Sequence, residues 1–313
     1  MGVAQLDRAS GCGPEGWGFE APHPPHIMIQ EMLAIRSFPL TETSNFFSPI
    51  NKAHNTANDL FFVITGKKTL IRSENGRFQI PTRKDLEESK IEIKESLYIG
   101  SIKDMDCYVM ELRGPINLPS QMAISGIWHM FNHIDQRKFN MLLRAFHIVG
   151  WIRDEIFCTY CASRLILAWE KKCKFCTNCG KQVFPRISPA IIVLIYRDKE
   201  ILLARSRMFK DELFSCIAGF VEPGETLEDA VRREIKEELG IEVEEIRYFG
   251  SQPWPFPDSL MIAFTAKYKS GQLSIDSSEL VEARWFHIKN LPKIPGRITI
   301  ARHMIDTFFE EAT

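Results

Sequence analysis

Apolar residues alternate with polar ones, or run together briefly, over Leu60–Thr65, Thr69–Arg72, Lys90–Lys94, Leu97–Ser101 and Cys107–Leu112, between Gly, Lys and Asp turns. Short runs closed by turn residues predict the strands of a small β-rich domain. The period then changes. From about His133 to Ile152, Phe139, Leu142, Leu143, Phe146 and Val149 recur at spacings of three and four, which predicts one amphipathic helix whose stripe serves packing. A cysteine-rich stretch follows, from Phe157 to Phe184. Beyond Pro185, Ile191–Arg197 and Ile201–Ser206 flank the turn Asp198-Lys199-Glu200 as a hairpin. A glycine-bearing turn, a charged helix, an aromatic-proline loop, two more strands and a terminal helix from about Ile300 to Glu311 complete the pattern. It contains no evident internal repeat or low-complexity tract.

Composition narrows this picture. The 313 residues suggest about two domains. Lysine plus arginine is 39 against 40 aspartate plus glutamate, a net charge of −1 that excludes a bulk polycation gripping nucleic acid by field alone. With 45% hydrophobic and 25% charged residues the composition is that of a globular chain. The longest apolar run, Ala190–Tyr196, falls far short of the ~18 residues of a membrane span and reads as a buried strand. Met1–Pro25 has no apolar signal core. Its stretch GVAQLDRASGCGPEGWGFEAPH resembles translated tRNA-gene sequence. The expectation is a native start at Met28 or Met32, with residues 1–27 a spurious or disordered extension.

Of eight cysteines, Cys158, Cys161, Cys173, Cys176 and Cys179 cluster between 158 and 179. Clustered CxxC pairs in a chain of this length point to a reducing compartment and a metal site rather than a disulfide framework. Cys158-x-x-Cys161 and Cys176-x-x-Cys179 are 14 residues apart, which suits four thiolates in a tetrahedron around one structural Zn2+. Cys173-Lys174-Phe175-Cys176 is also CxxC, but Gly180 permits a tight knuckle after Cys179, which favours Cys176 and Cys179. Arg164, Lys171, Lys172, Lys174 and Lys181 make the segment basic. Such charges are ordinarily a solvated face, with nucleic-acid contact as the alternative.

The sharpest pattern is Gly219-Phe220-Val221-Glu222-Pro223-Gly224-Glu225 followed by Arg233-Glu234-Ile235-Lys236-Glu237-Glu238-Leu239-Gly240-Ile241. Thr226 with Asp229 forms a capping-box signal, and Gly240 is a natural stop. At ~100° per residue, Leu227, Ala230, Val231, Ile235 and Leu239 make one apolar arc. Glu234 and Glu238 project within ~40° of each other on its Ala230 side, with Glu237 beside them. Like charges converging on a half-buried face are costly unless a cation neutralises them. Mg2+ or Mn2+, bridging carboxylate and phosphate oxygens, would do so and could activate water. The alternative is an acidic helix with no ligand.

These residues match the Nudix box, G-x5-E-x7-R-E-U-x-E-E-x-G-U with U aliphatic, at every fixed position, so the segment is identified as a Nudix hydrolase domain. The resemblance implies an α/β/α sandwich in which a loop–helix–loop holds catalytic metal. Glu234 and Glu238 would be leading ligands, Glu237 would share the metal or base role, and the Ala218 carbonyl would be a further ligand. Glu225 and Arg233 would brace the loop, and Gly219 and Gly240 would be its structural glycines.

Ser251-Gln252-Pro253-Trp254-Pro255-Phe256-Pro257-Asp258-Ser259 follows, with prolines that hold Trp254 and Phe256 at low entropic cost. The rings suit stacking on a nucleobase or, equally, packing on the core. SQPWPFP downstream of a Nudix box resembles the defining motif of the NADH pyrophosphatase family. That family also carries a four-cysteine zinc ribbon and, before it, a β-rich degenerate Nudix-like domain. The resemblance covers about residues 30 to 313. It implies an α+β chain of three units: a β-rich domain at 28–153, a zinc ribbon at 154–185 and a catalytic Nudix domain at 186–313.

Substrate contacts would fall on Phe184, Phe220, Gln252, Pro253, Trp254, Pro255, Phe256, Pro257, Asp258, Ser259 and Ala301, and Glu279 would be a further metal ligand. Two positions depart from the family: Val183-Phe184-Pro185 replaces its YYP, and Lys171 stands where a substrate-contacting glutamate is expected. The implied activity is Mg2+- or Mn2+-dependent hydrolysis of NADH or NAD+ to nicotinamide mononucleotide and AMP, with removal of NAD caps from RNA. A cytoplasmic homodimer without membrane contact is implied too. The alternatives are a broader ADP-ribose or nucleoside-diphosphate hydrolase, and a low-turnover nucleotide-sensing or RNA-binding Nudix module.

Overall fold

The computed structural model describes residues 56–312 apart from 75, 94, 113, 115, 116, 132, 169, 171, 209–211 and 288. The expected start at Met28 or Met32, the segment 1–27 and Lys171 lie outside the described residues.

The first unit contains β1 (Leu60–Thr65), β2 (Lys68–Glu74), β3 (Arg77–Gln79), α1 (Arg83–Glu88), β4 (Leu97–Ile102), β5 (Met105–Glu111), β6 (Met122–Gly126), α2 (Ile127–Met130) and α3 (Gln136–Asp154). Its sheet runs β3-β2-β1-β5-β4, with β6 on β2. Phe62 and Ile64 face α3, where they meet Phe139, Leu142 and Phe146. Phe61 and Val63 face the other way, towards Leu86 of α1. A strand covered on both faces must be apolar at every position, which accounts for the unbroken Leu60–Ile64 run.

Residues 90–93 of the expected strand Lys90–Lys94 form no strand, contrary to the expectation from its alternation. Helix α1 ends there: Lys90 takes φ +54, its N–H reaches the Glu87 carbonyl at 3.0 Å, and Ile91 N–H reaches Leu86 at 2.9 Å. This pair of bonds is a Schellman close, in which the residue after the left-handed position is buried as a plug. Ile91 alternates because it plugs the helix end.

The ribbon is a three-stranded antiparallel sheet of β7 (Leu165–Ala168), β8 (Cys173–Cys176) and β9 (Gln182–Val183). The last unit contains β10 (Ser188–Arg197), β11 (Glu200–Ser206), β12 (Ile217–Phe220), α4 (Leu227–Leu239), β13 (Glu242–Trp254), β14 (Ser259–Ser270), β15 (Leu280–His287) and α5 (Ile300–Ala312). Its sheet runs β13-β14-β10-β11-β15, with β12 on β10. Helix α4 covers one face through Val231, Ile235 and Leu239, and α5 covers the other through Ala301, Met304 and Ile305. The result is an α/β/α sandwich. The stretch read as an aromatic-proline loop is mostly strand: β13 continues through Trp254 and turns into β14 over Pro255–Asp258.

The two sheets repeat one plan, although no repeat is evident in the sequence. β4-β5-β1-β2-β6 matches β13-β14-β10-β11-β15, each around a parallel central pair, β1 with β5 and β10 with β14. Six-residue α1 takes the place of 13-residue α4. On that short helix the Lys84 ammonium lies 3.8 Å from Glu88.

Candidate functional site

Thr226 caps α4, accepting the Asp229 N–H at 3.2 Å, and Gly240 closes it at φ +71. Ala230, Val231, Ile235 and Leu239 are buried as the apolar arc requires, and Glu238 is buried with them at 6% exposure. Glu234 is half-buried and Glu237 exposed.

The loop before the helix is braced by Arg233. Its guanidinium donates to Glu225 through Nε and, at 3.0 Å, Nη2; it also reaches Glu234 and Glu237 at 3.0 Å each and the Phe220 carbonyl at 2.9 Å. The Glu225 carboxylate also accepts the Glu222 N–H at 3.0 Å. These partners, Arg233 foremost, hold Glu225 down at about 2. On β12, Gly219 pairs with Ile191 of β10, and the Glu234 carboxylate lies where a Gly219 Cβ would be. Only glycine leaves that space.

Glu279 reaches the same region through the chain before β15. Ser274 and Asp276 donate their N–H groups to the Leu239 and Glu238 carbonyls at 2.9 Å each, stitching this loop to the end of α4. Arg207 holds its far side, donating N–H to the Glu279 carbonyl at 3.0 Å and Nε to Ser277 at 2.6 Å. Burial first, then the charges of Glu234, Glu279, Asp276 and Glu237, push the Glu238 carboxyl up to about 8. Burial also raises Glu234, against the pull of Arg233. A carboxylate this disfavoured is an acceptor for a proton or a cation, and an all-oxygen donor set suits a hard divalent ion. Asp276 contributes to this acidic field and was not singled out from the sequence. Its position follows only from the stitch to α4.

The second cluster is sulfur. Cys158, Cys161, Cys176 and Cys179 bring their Sγ atoms within 4.8 Å of one another, with Cys158 to Cys179 at 3.6 Å and Cys161 to Cys176 at 3.4 Å. A tetrahedron with ~2.3 Å metal–sulfur bonds has edges of about 3.8 Å, so these thiols fit an ion such as zinc. Each knuckle closes on a positive φ, Ala162 at +56 and Gly180 at +75. Cys173 is buried outside the group. Lys174, counted with the basic surface from sequence, is instead buried, donating to the Ile152 carbonyl at 2.7 Å and to those of Trp151 and Glu155.

The expected substrate contacts separate into groups. Ala218, Gln252, Trp254 and Ala301 line a cavity of about 840 Å3 on the α5 side of the sheet. Within it, the Gln252 amide is committed, donating to the Ile298 carbonyl at 2.7 Å and accepting from Ile300 N–H at 2.9 Å. Phe256 packs on Phe146 of α3 at 5.7 Å and joins the core of the first domain. Pro255 and Ser259 are buried, and the Asp258 carbonyl accepts the Ser188 N–H at 2.9 Å. Phe184 and Pro253 line a second groove, and Phe220 is 54% exposed on β12. Pro257 is exposed at the hairpin turn, joined to Phe256 by a cis peptide. Trp128 and Phe131 of the first domain also line the first cavity. Neither was legible as a site residue, since Gly126–Phe131 reads as ordinary apolar chain.

Residues 186–308 match the family model described as NUDIX domain, and residues 58–151 match the NADH pyrophosphatase-like rudimentary NUDIX domain. With the brace, the acidic cluster and the sandwich in place, the class is defined: the chain belongs to the Nudix hydrolase family. More narrowly, it is similar to proteins named NAD-capped RNA hydrolase NudC. The one from Pseudomonas aeruginosa is 42% identical over 210 residues, covering 67% of this chain and 75% of its own length. That from Pseudomonas syringae pv. tomato is 34% identical over 249 residues, covering 80% and 88%. A crystal structure of a Nudix hydrolase from Nitrosomonas europaea covers 50% of this chain and 90% of its own, at 23% identity and a TM-score of 0.44.

Proposed function

We propose that this chain hydrolyses the pyrophosphate bond of NADH or NAD+, giving nicotinamide mononucleotide and AMP, and removes NAD caps from RNA by the same chemistry. The observation that carries the reading is the acidic cluster in which Glu238 is buried on the helix face it shares with Glu234, with the Glu279 loop stitched to the end of that helix. The names of the relatives supply the substrate class. Glu234, Glu238, Glu279 and the Ala218 carbonyl would hold Mg2+ or Mn2+, with Glu237 at the margin. Bound there, the cation supplies charge neutralisation for the bridging phosphates and lowers the pKa of water. One ionised glutamate, Glu238 or Glu237, would accept the proton of the attacking water. Arg233 and Gly219 fix the Glu234 carboxylate, and the cavity beside Trp254 and Ala301 receives a nucleotide.

The four cysteines would hold one structural Zn2+. The free thiols among the described residues support a reducing, cytoplasmic setting, and no described helix is long and apolar enough to cross a membrane. Phe184 and Ile187, 56% and 60% exposed on one groove, support a homodimer that would cover them. Incubation with NADH and Mn2+ should release AMP, and Glu238→Gln should abolish the release. Equal AMP release by wild type and Glu238→Gln would overturn the reading. Rates on NADH, ADP-ribose and NAD-capped RNA measured side by side then rank the substrates.

A further inference from the structure

The rudimentary domain meets the catalytic half of the molecule where Phe256 joins its core and where Trp128 lines the cavity. Trp128 stands in α2 between Ile127 and Met130, which are 3% and 0% exposed in the core of its own domain. Its own ring is 52% exposed. That ring projects against Trp254 with centroids 5.0 Å apart, and lies 6.2 Å from Phe256. The planes of Trp128 and Trp254 meet at 43°, unlike the parallel pair Phe61–Tyr108 at 17°. The two indoles therefore touch at a tilt, which leaves the outer face of Trp128 uncovered. Both line the 840 Å3 cavity, together with Phe131, Ala301 and the cationic Lys293 and Arg297.

We infer that Trp128 is a substrate-binding residue contributed by the rudimentary domain: one flat heteroaromatic ring of the dinucleotide stacks on the exposed face of the Trp128 indole, beside Trp254. The inference rests on the proposed dinucleotide substrate. Three features carry it. A large apolar ring held half in water by two buried neighbours is a surface that a partner ring completes. The cavity is of a size that accommodates a nucleotide, with apolar walls and few polar groups. Lys293 and Arg297 supply positive charge for phosphate oxygens at the same cavity. The mount is stiff as well: Phe131 packs edge-on against Phe139 of α3 at 5.3 Å, and Phe256 is held by Phe146. Stacking of one base on an aromatic side chain changes affinity roughly five- to hundredfold.

Trp128→Ala and Trp128→Phe in the full chain test this. The expected result is a KM for NADH raised about tenfold or more in Trp128→Ala, an intermediate value in Trp128→Phe, and a much smaller change in kcat. Equilibrium dialysis with AMP and separately with nicotinamide mononucleotide identifies the ring, because only the mononucleotide whose base stacks on Trp128 loses affinity in Trp128→Ala. Melting curves confirm that both variants fold, as expected for a half-exposed side chain. Unchanged KM together with unchanged affinity for both mononucleotides would overturn the inference. If wild-type protein does not hydrolyse NADH, the dinucleotidase reading fails, and the dialysis still decides whether Trp128 holds a base.

Discussion

The Glu234 carboxylate occupies the space in which a side chain at Gly219 would begin. A strand residue and a helix residue 15 positions apart are thereby locked: the carboxylate can sit against β12 only while position 219 is bare. Gly219→Ala must push this carboxylate off the strand. The clash is with the end of a flexible side chain, so the expected loss of stability is under about 1 kcal/mol. A displaced ligand of about 1 Å can cost ~100-fold in rate. Steady-state kinetics with Mn2+, paired with melting curves, should show that split; a variant with native kcat would contradict it.

Arg233 joins Glu225, Glu234, Glu237 and the Phe220 carbonyl, so loop and helix meet in one guanidinium. Lysine keeps the charge but lacks the planar fork. Arg233→Lys should retain the fold and lose roughly 10- to 100-fold in activity, since a misplaced loop affects the ligands on both sides. Full activity in Arg233→Lys would mean that charge alone suffices. The pH sense of the brace is also fixed. Glu225 is held at about 2 in the folded chain, below its ordinary 4.5. Its contribution is complete above about pH 4.5 and is lost as pH falls towards 2. Melting curves of Glu225→Gln and wild type should therefore differ at neutral pH and converge in acid.

Glu238 has the opposite sign. Its folded carboxyl is raised from 4.5 to about 8, so between those values the native chain holds a proton that the unfolded chain releases. Without a cation at the glutamates, stability should fall as pH rises from about 4.5 to about 8, by no more than about 1.4 kcal/mol per pH unit. Glu238→Gln should flatten this slope and raise the melting temperature at pH 8 while eliminating turnover. Mn2+ should flatten it in the wild type. Melting temperature against pH, with the ribbon metal retained, checks all three; a flat wild-type profile without Mn2+ would contradict the shift.

Much of this site was legible in the sequence because its chemistry is local. Glu234, Glu237 and Glu238 share one helix, so spacing alone places them, and the two CxxC pairs carry their own turns. The central strands were legible for the same reason. What escaped depends on distant partners. Ile91 looks like a strand residue until Leu86 is seen to accept its N–H. Gln252 lines the cavity, but that its amide is held by Ile298 and Ile300, over 40 residues on, could not be read from its spacing. Trp128 acquires meaning only where another domain brings Trp254 to it.

Lys174 is the last such case, and the most readily tested at the joint between ribbon and first domain. It lies on β8 between two cysteines, yet its ammonium is buried at the C-terminal end of α3, bonded to the carbonyls of Trp151, Ile152 and Glu155 and 5.1 Å from the Trp151 ring. Helix ends leave carbonyls unpaired and carry partial negative charge, so a buried cation there satisfies both. Burial nevertheless lowers the lysine's pKa, a cost that the three carbonyls must offset. Lys174→Met keeps the length and removes every donor. The expected penalty is roughly 2–3 kcal/mol, the value of charge-assisted bonds whose buried acceptors are left unpaired. Because β8 also carries Cys176, the loss should appear as an earlier urea transition and faster zinc release to a colorimetric chelator, with the KM for NADH little changed. Zinc release at the wild-type rate would show that the ribbon is anchored to α3 by other contacts.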